Sequence, residues 1–227
     1  LCHYPHTKAL AEQHVLAASG SGGLLTCALR PHLIWGPGDR HLIPRLIALR
    51  RANRLWRVGD GSNRIDMVYI DNAVEAHLLA ARALVPGSPA AGRAYFISQG
   101  EPVNCWDWID QLLALAGLPP TPKRMSVRTA RRIGRVMELL WWLMPGDSEP
   151  PMTRFLAAQL STSHHFDISR AHGDLGYEPR VSTAEGMRRL AAELTPACDM
   201  GSGRSLQEAG STSASAGQAA VATGRRI

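Results

Sequence analysis

The sequence predicts an α/β layered fold that passes into a smaller, mostly helical region. Three observations carry this. Short apolar runs alternate with segments of helical period from residue 3 to about 120. Glycine and proline turns separate them. Beyond residue 121 the pattern is mostly helical. Of 227 residues, 45% are hydrophobic and 19% charged, which supports a sizeable core and excludes wholesale disorder.

Taken in order, His3 to Ala18 reads as a helix, with Leu10, His14, Val15 and Ala18 at helical spacing and Gly20 to Gly23 as its stop. Leu24 to Leu29 is an apolar run ending at Arg30-Pro31, as a buried parallel strand would. Leu33 to Trp35 is a strand end before the turn Gly36-Pro37-Gly38-Asp39. Helix is expected over Ile43 to Ala52, strand over Leu55 to Val58, a turn at Gly59 to Asn63 and strand over Met67 to Ile70. Asp71 stands where a cap should, before a helix from Ala73 to Leu84. Ala94 to Ile97 reads as strand, and Trp106 to Ala116 as a helix closed by Gly117 and Pro119-Pro120.

Ser126 to Met144 carries Val127, Ala130, Ile133, Met137, Leu140 and Met144 on one face, with Arg128, Arg131, Arg132 and Arg135 largely off it. Pro145 to Pro151 breaks that helix, and further helices are expected over Thr153 to Leu160 and Thr183 to Leu194. Residues 199–227 hold 18 Gly, Ser, Ala or Thr among 29, so a disordered tail is expected.

Net charge is +6, from 25 Lys and Arg against 19 Asp and Glu, and only Lys8 and Lys123 are lysines. This balance permits nucleic acid, anionic lipid or phosphate without selecting one. The arginines do not interleave with exposed aromatics, so no nucleic-acid partner is expected. Four scattered cysteines suit neither a zinc site nor a disulfide scaffold and fit a reducing cytoplasm. No run approaches the ~20 apolar residues that span a bilayer.

Tyr4 and Lys8 lie four apart, hence on one face of the opening helix. A phenol near pKa ~10 is a poor acid or base at neutral pH. An adjacent ammonium favours the phenolate and poises the group for proton exchange with a carbonyl or alcohol. A packing tyrosine one turn from an exposed lysine would give the same spacing.

The order YPHTKALAEQHV, LLTCALRP, LIWGPGD, DMVYIDNAVEAHLLA and AYFISQGEPV resembles the extended short-chain dehydrogenase/reductases, in their 3β-hydroxysteroid dehydrogenase branch. Within it, RPHLIWGPGDRHLIPRLI, GDGSNRIDMVYIDNA and YFISQGEPVNCWDWI look like the bacterial β-keto-acid reductases of long-chain olefin biosynthesis, which reduce a 2-alkyl-3-oxoalkanoate with NADPH. The resemblance implies a Rossmann-type domain over 1–120 with interleaved substrate-lobe segments, a helical substrate lobe over 121–198 and the tail over 199–227. It implies Tyr4 as acid/base, Lys8 as its pKa-lowering and ribose-binding partner, and the Pro31, Leu33 and Ile34 backbone against the nicotinamide of NADP or NAD. It also implies a hydrophobic small-molecule substrate and leaves a homodimer open.

Several residues keep two readings. Arg64 could contact substrate or pair with Asp66 as a surface ion pair, and Asp71 could be catalytic or a cap. His164-His165 point to opposite faces if extended, a poor chelate, so no metal is expected. Trp106 and Trp108 suit anchoring in a core or at an interface. The Ser126 to Met144 helix could pack its stripe, lid an apolar pocket or touch an anionic membrane peripherally. Competing functions are a steroid or sterol dehydrogenase and a non-catalytic remnant.

The glycine-rich fingerprint that cradles a pyrophosphate, and a Ser or Thr upstream of Tyr4, do not precede Tyr4 here, and Gly20-x-Gly22-Gly23 lies downstream. The expectation is therefore a truncated reading frame that binds dinucleotide poorly alone. Calorimetric titration of this chain with NADPH and NADH should show no micromolar binding, and micromolar affinity would overturn it.

Overall fold

The computed structural model describes residues 3–143 and 153–199. Its first part runs α1 (His3–Ala17), β1 (Ala28–Pro31), β2 (Ile34–Trp35), α2 (Leu42–Arg51), β3 (Arg57–Val58), β4 (Arg64–Ile65), β5 (Val68–Tyr69) and α3 (Ile70–Ala83). There follow β6 (Ala94–Ile97), β7 (Val103–Asn104), α4 (Cys105–Leu115), β8 (Arg124–Met125), α5 (Val127–Leu143), α6 (Arg154–Gln159), α7 (Ser169–Leu175) and α8 (Thr183–Asp199). Three strand pairs are parallel, β1 with β6, β2 with β5 and β3 with β8, while β4 and β7 run antiparallel. Parallel pairs joined through helices give the Rossmann-like α/β arrangement that the alternation predicts.

The longest pairing shows what limits a strand here. β1 meets β6 from Ala28↔Ala94 to Pro31↔Ile97, so the strand lies later than the run Leu24 to Leu29 that predicts it. Residues 24–27 lie beside the turn before β6, where Gly92 donates its amide to the Thr26 carbonyl at 2.7 Å. Apolar character marks the segment, but the partner sets its ends. β4, β7 and β8 are two-residue pairings, too short for alternation to show.

Helix starts and ends shift for similar reasons. Asp71 is not a cap: Tyr69 holds that position, and Asp71 sits inside the first turn of α3, paired with Arg189 at 2.8 Å. Its charge still favours that helix end. Asn104 is the true cap of α4, accepting from the amides of Trp106 and Asp107 at 2.9 and 3.1 Å. α8 continues beyond Leu194 to Asp199, and the rest of the expected tail, 200–227, lies outside the described residues. Met144 and the Pro145 to Pro151 break also lie outside them.

α5 packs on α6 at Gly134, where a Cβ would sit 2.7 Å from the Arg154 amide nitrogen. The buried line therefore runs through Ala130 and Gly134, and Leu140, expected on the packed face, is half exposed.

Two apolar clusters result. One joins Trp35, Tyr69, Trp106, Trp108, Leu112 and Leu190, with Trp35 edge-on to both Tyr69 and Trp108. Trp106 and Trp108 are buried, as core anchors must be. The other joins Val68, Ala76, Tyr95, Ile97, Leu175 and Tyr177.

Buried polar groups tie the clusters. The Asn72 carbonyl accepts from the amides of Arg180 and Val181 at 3.0 Å, and its amide donates to the Val181 carbonyl at 2.8 Å. Gln99 accepts from the Tyr69 amide at 2.8 Å and donates to Val181 and Thr183. Truncating Asn72 strands buried partners, each costing about 1–3 kcal/mol. Asn72→Ala should lower unfolding free energy by about 3 kcal/mol in urea titrations; a loss below about 1 kcal/mol would show that water replaces these bonds.

Candidate active site

Tyr4 and Lys8 fall one turn apart on α1, and Lys8 is exposed. What fixes α1 is its grip on β1. Glu12 accepts from Arg30 Nε at 2.7 Å and Nη2 at 2.5 Å, a two-point clamp between helix and strand. Thr26 Oγ1 donates to the Val15 carbonyl at 2.7 Å, and the Thr26 amide donates to Ser19 Oγ at 3.3 Å. The Arg30 guanidinium lies 5.0 Å from the centroid of the Phe96 ring on β6, extending the clamp to the next strand. Hydrogen bonding from Arg30 holds the Glu12 carboxyl below its ordinary value, against a smaller opposing effect of burial.

Beyond β1 the chain crosses from one parallel pair to the next. Pro31 ends the first register, the His32 amide donates to Ile97 at 3.2 Å, and the Leu33 carbonyl accepts from Val68 at 3.3 Å. Leu33 has φ 45°, the left-handed region that a leucine occupies only at a cost of about 1–3 kcal/mol. Ile34 then opens β2 and is partly exposed. Pro31, Leu33 and Ile34 thus form one continuous turn at the carboxyl end of β1, where open α/β sheets bind their ligands.

Arg64 lies on β4, with its guanidinium donating to the Pro102 carbonyl at 2.5 Å. The ion-pair alternative is not realised. Asp66 is fully buried and takes Ser98 Oγ at 2.9 Å and the Phe166 amide at 3.1 Å instead. The Arg64 carbonyl accepts from the His164 amide at 2.9 Å. That contact brings the His164 ring to 5.4 Å from His32 and leaves His165 exposed.

His32 escapes the sequence reading, and Asp66 enters it only as a partner for Arg64, because their neighbours come from distant segments. Burial lowers the His32 pKa first, His164 lowers it further and Asp66 opposes both. Burial likewise lowers that of His164, with a smaller contribution from His165. Both imidazoles are therefore neutral at neutral pH. Among the described residues, no three His, Cys, Asp or Glu side chains gather as a metal-holding group.

A cleft of about 360 Å³ begins at Ile34 and runs over Gly36 to Leu42 and Ile70. It shares Gly36 and Asp39 with a cavity of about 640 Å³ between α2 and α8, lined largely by Ile43, Ile47, Leu190 and Leu194 with Arg51 and Glu193. Between the two, the Gly38 amide donates to the Glu193 carboxylate at 3.0 and 3.1 Å. Gly20 to Gly23 form a short turn with positive φ at Gly20, Gly22 and Gly23, a loop as the sequence predicts.

The model of the 3-beta hydroxysteroid dehydrogenase/isomerase family matches residues 2–127. A 2-alkyl-3-oxoalkanoate reductase of Stenotrophomonas maltophilia (strain K279a) is 54% identical over 189 residues, 83% of this chain and 57% of that protein. A 2-alkyl-3-oxoalkanoate reductase of Shewanella oneidensis is 47% identical over 201 residues, 86% of this chain and 52% of its own. The chain spans about half the length of these curated relatives. Among solved structures, a UDP-glucuronic acid 4-epimerase from Bacillus cereus, in complex with NAD, superposes with TM-score 0.58 at 21% identity. That match covers 87% of this chain and 53% of the epimerase, and it speaks to the fold.

The clamp between α1 and β1 has a pH signature. A carboxyl whose folded pKa is depressed stabilises above its unfolded value, 4.5, and loses that contribution as pH falls through the lowered folded value. The pair is partly exposed, so Glu12→Gln should cost about 0.5 kcal/mol at pH 7. In urea unfolding, the difference between wild type and variant should shrink toward pH ~3; a constant difference would place the effect outside the ion pair.

Proposed function

Because the chain belongs to the 3-beta hydroxysteroid dehydrogenase/isomerase family, we propose that it serves NAD(P)-dependent reduction of a 3-oxo group on a hydrophobic small molecule, a 2-alkyl-3-oxoalkanoate. The observation that carries the proposal is the placement of Tyr4 and Lys8 one turn apart on a helix clamped to the strand that ends in the Leu33 turn. Identity to the two bacterial 2-alkyl-3-oxoalkanoate reductases supports the substrate class. So does the largely apolar cavity between α2 and α8.

In this reading the nicotinamide cofactor supplies the hydride. Tyr4 gives its phenolic proton to the carbonyl oxygen as the carbon is reduced. Lys8 stabilises the phenolate that remains and holds the cofactor ribose. The backbone of Pro31, Leu33 and Ile34 holds the nicotinamide end; strained backbone at a site is pre-organised for a ligand. Arg64, exposed on β4 beside the His164 segment, offers a cation to the substrate carboxylate.

Oxidation of a 3β-hydroxysteroid is the second reading, favoured by the family match itself. A chimera that supplies the remaining length from the Stenotrophomonas maltophilia reductase separates the two when assayed with both substrates. In it, Tyr4→Phe should lower carbonyl reduction by at least about 10²-fold while cofactor binding stays within about 2-fold. Turnover retained in that variant would overturn the assignment of Tyr4.

A further inference from the structure

Exposed apolar side chains concentrate at one place. Over the last two turns of α5, Val136, Leu139, Leu140, Trp142 and Leu143 are 47–76% exposed, and Phe155 at the start of α6 lies half exposed as well. Ordinary helix packing does not account for them, because the inner face of α5 is already taken by α6 at Gly134.

The turns before this patch are basic. Arg128, Arg131, Arg132 and Arg135 are all exposed, and among the described residues no carboxylate pairs with them. Glu138, the single acid of α5, is held by Arg154 at 2.6 Å. The separation of charge from grease therefore runs along the helix rather than across it. The first half presents arginines outward, and the second presents leucines, a valine and a tryptophan.

At 1.5 Å of rise per residue, Trp142 lies about 10 Å beyond Arg135. With the helix axis tilted into the surface, that spacing carries Trp142 toward the acyl boundary while Arg135 stays among the phosphates, a depth of about 5–10 Å. Tryptophan is the side chain favoured at that boundary. A purely apolar protein groove would cover the apolar end but leave the arginine layer without a counter-charge. An anionic bilayer answers both. No helix among the described residues is long and apolar enough to span a membrane, so the contact is peripheral.

We propose that the C-terminal half of α5, with Phe155, docks in the interface of an anionic membrane while the four arginines meet its phosphates. The inference is independent of the catalytic reading, since none of these residues belongs to the site.

The test is sedimentation of the full chain with vesicles of phosphatidylcholine alone or with about a third phosphatidylglycerol. Binding should be at least about 10-fold tighter on the anionic vesicles and fall steeply as salt rises from about 0.1 to 0.5 M. The pairs Arg132→Glu with Arg135→Glu, and Leu139→Asp with Leu143→Asp, should each weaken it at least about 10-fold, with circular dichroism unchanged. Bromine on the upper acyl chain should quench tryptophan fluorescence in wild type and less so in Trp142→Phe. Equal binding to both vesicles, binding to neither, or variants that bind like wild type would each overturn the proposal. So would a lipid-free dimer abolished by Leu139→Asp with Leu143→Asp, which would give the face to a second copy.

Discussion

Where β6 ends, the side chain of Gln99 holds three segments together. Its carbonyl receives the Tyr69 amide, and its amide reaches Val181 and Thr183. Asn72 closes on the same stretch from the other side, and Asp66 secures Ser98 and Phe166. These groups are buried, so the alternative to each bond is an unpaired dipole in a poorly solvating interior. The strands themselves are short, and several pair over two residues only. Such ladders carry little register information alone. The polar hub supplies what the ladders lack: it fixes β5, β6 and the entry to α8 relative to one another.

The candidate site inherits its geometry from this frame. Its helix is fastened to β1 by Glu12 and Thr26, β1 lies along β6, and β6 runs into Gln99. On the far side, the Leu33 turn leans on Val68, one residue from the Tyr69 amide that Gln99 receives. Local strain at Leu33 is tolerable because both flanks are anchored. Gly186 adds a steric condition, since a Cβ there would sit 2.7 Å from both Trp35 and Tyr69. α8 can therefore approach the β2 and β5 pair closely enough to bring Leu190 into the core.

The sequence makes the α/β class, the turns and the family legible, because each leaves a mark that needs no partner. Glycine at a turn, a helical stripe and several motifs in a fixed order are local or additive signals. The 3β-hydroxysteroid dehydrogenase resemblance is borne out by the family match, and Ala94 to Ile97 is a strand as read. What escapes depends on partners far along the chain. Leu24 to Leu29 reads as strand, yet β6 begins opposite Ala28. Asp71 reads as a cap, yet the preceding Tyr69 takes that place. Leu140 reads as part of one stripe with Ala130, yet the stripe divides: contact at Gly134 buries Ala130 and leaves Leu140 half exposed. His32 meets His164, and Asn72 meets Val181, through tertiary structure that no spacing rule reports.

The parallel pairs have a consequence for the order in which the native state assembles. No strand of β1, β2 or β3 pairs with its neighbour in sequence; each waits for a partner beyond at least one intervening helix. Non-local pairing of this kind closes large loops before any contact rewards them, and it slows folding. The Asn72 side chain and the Gln99 side-chain amide nitrogen lack their partners until the segment around Val181 arrives. During synthesis β2 must therefore wait for residue 69, β1 for residue 97 and β3 for residue 125 before its parallel partner exists.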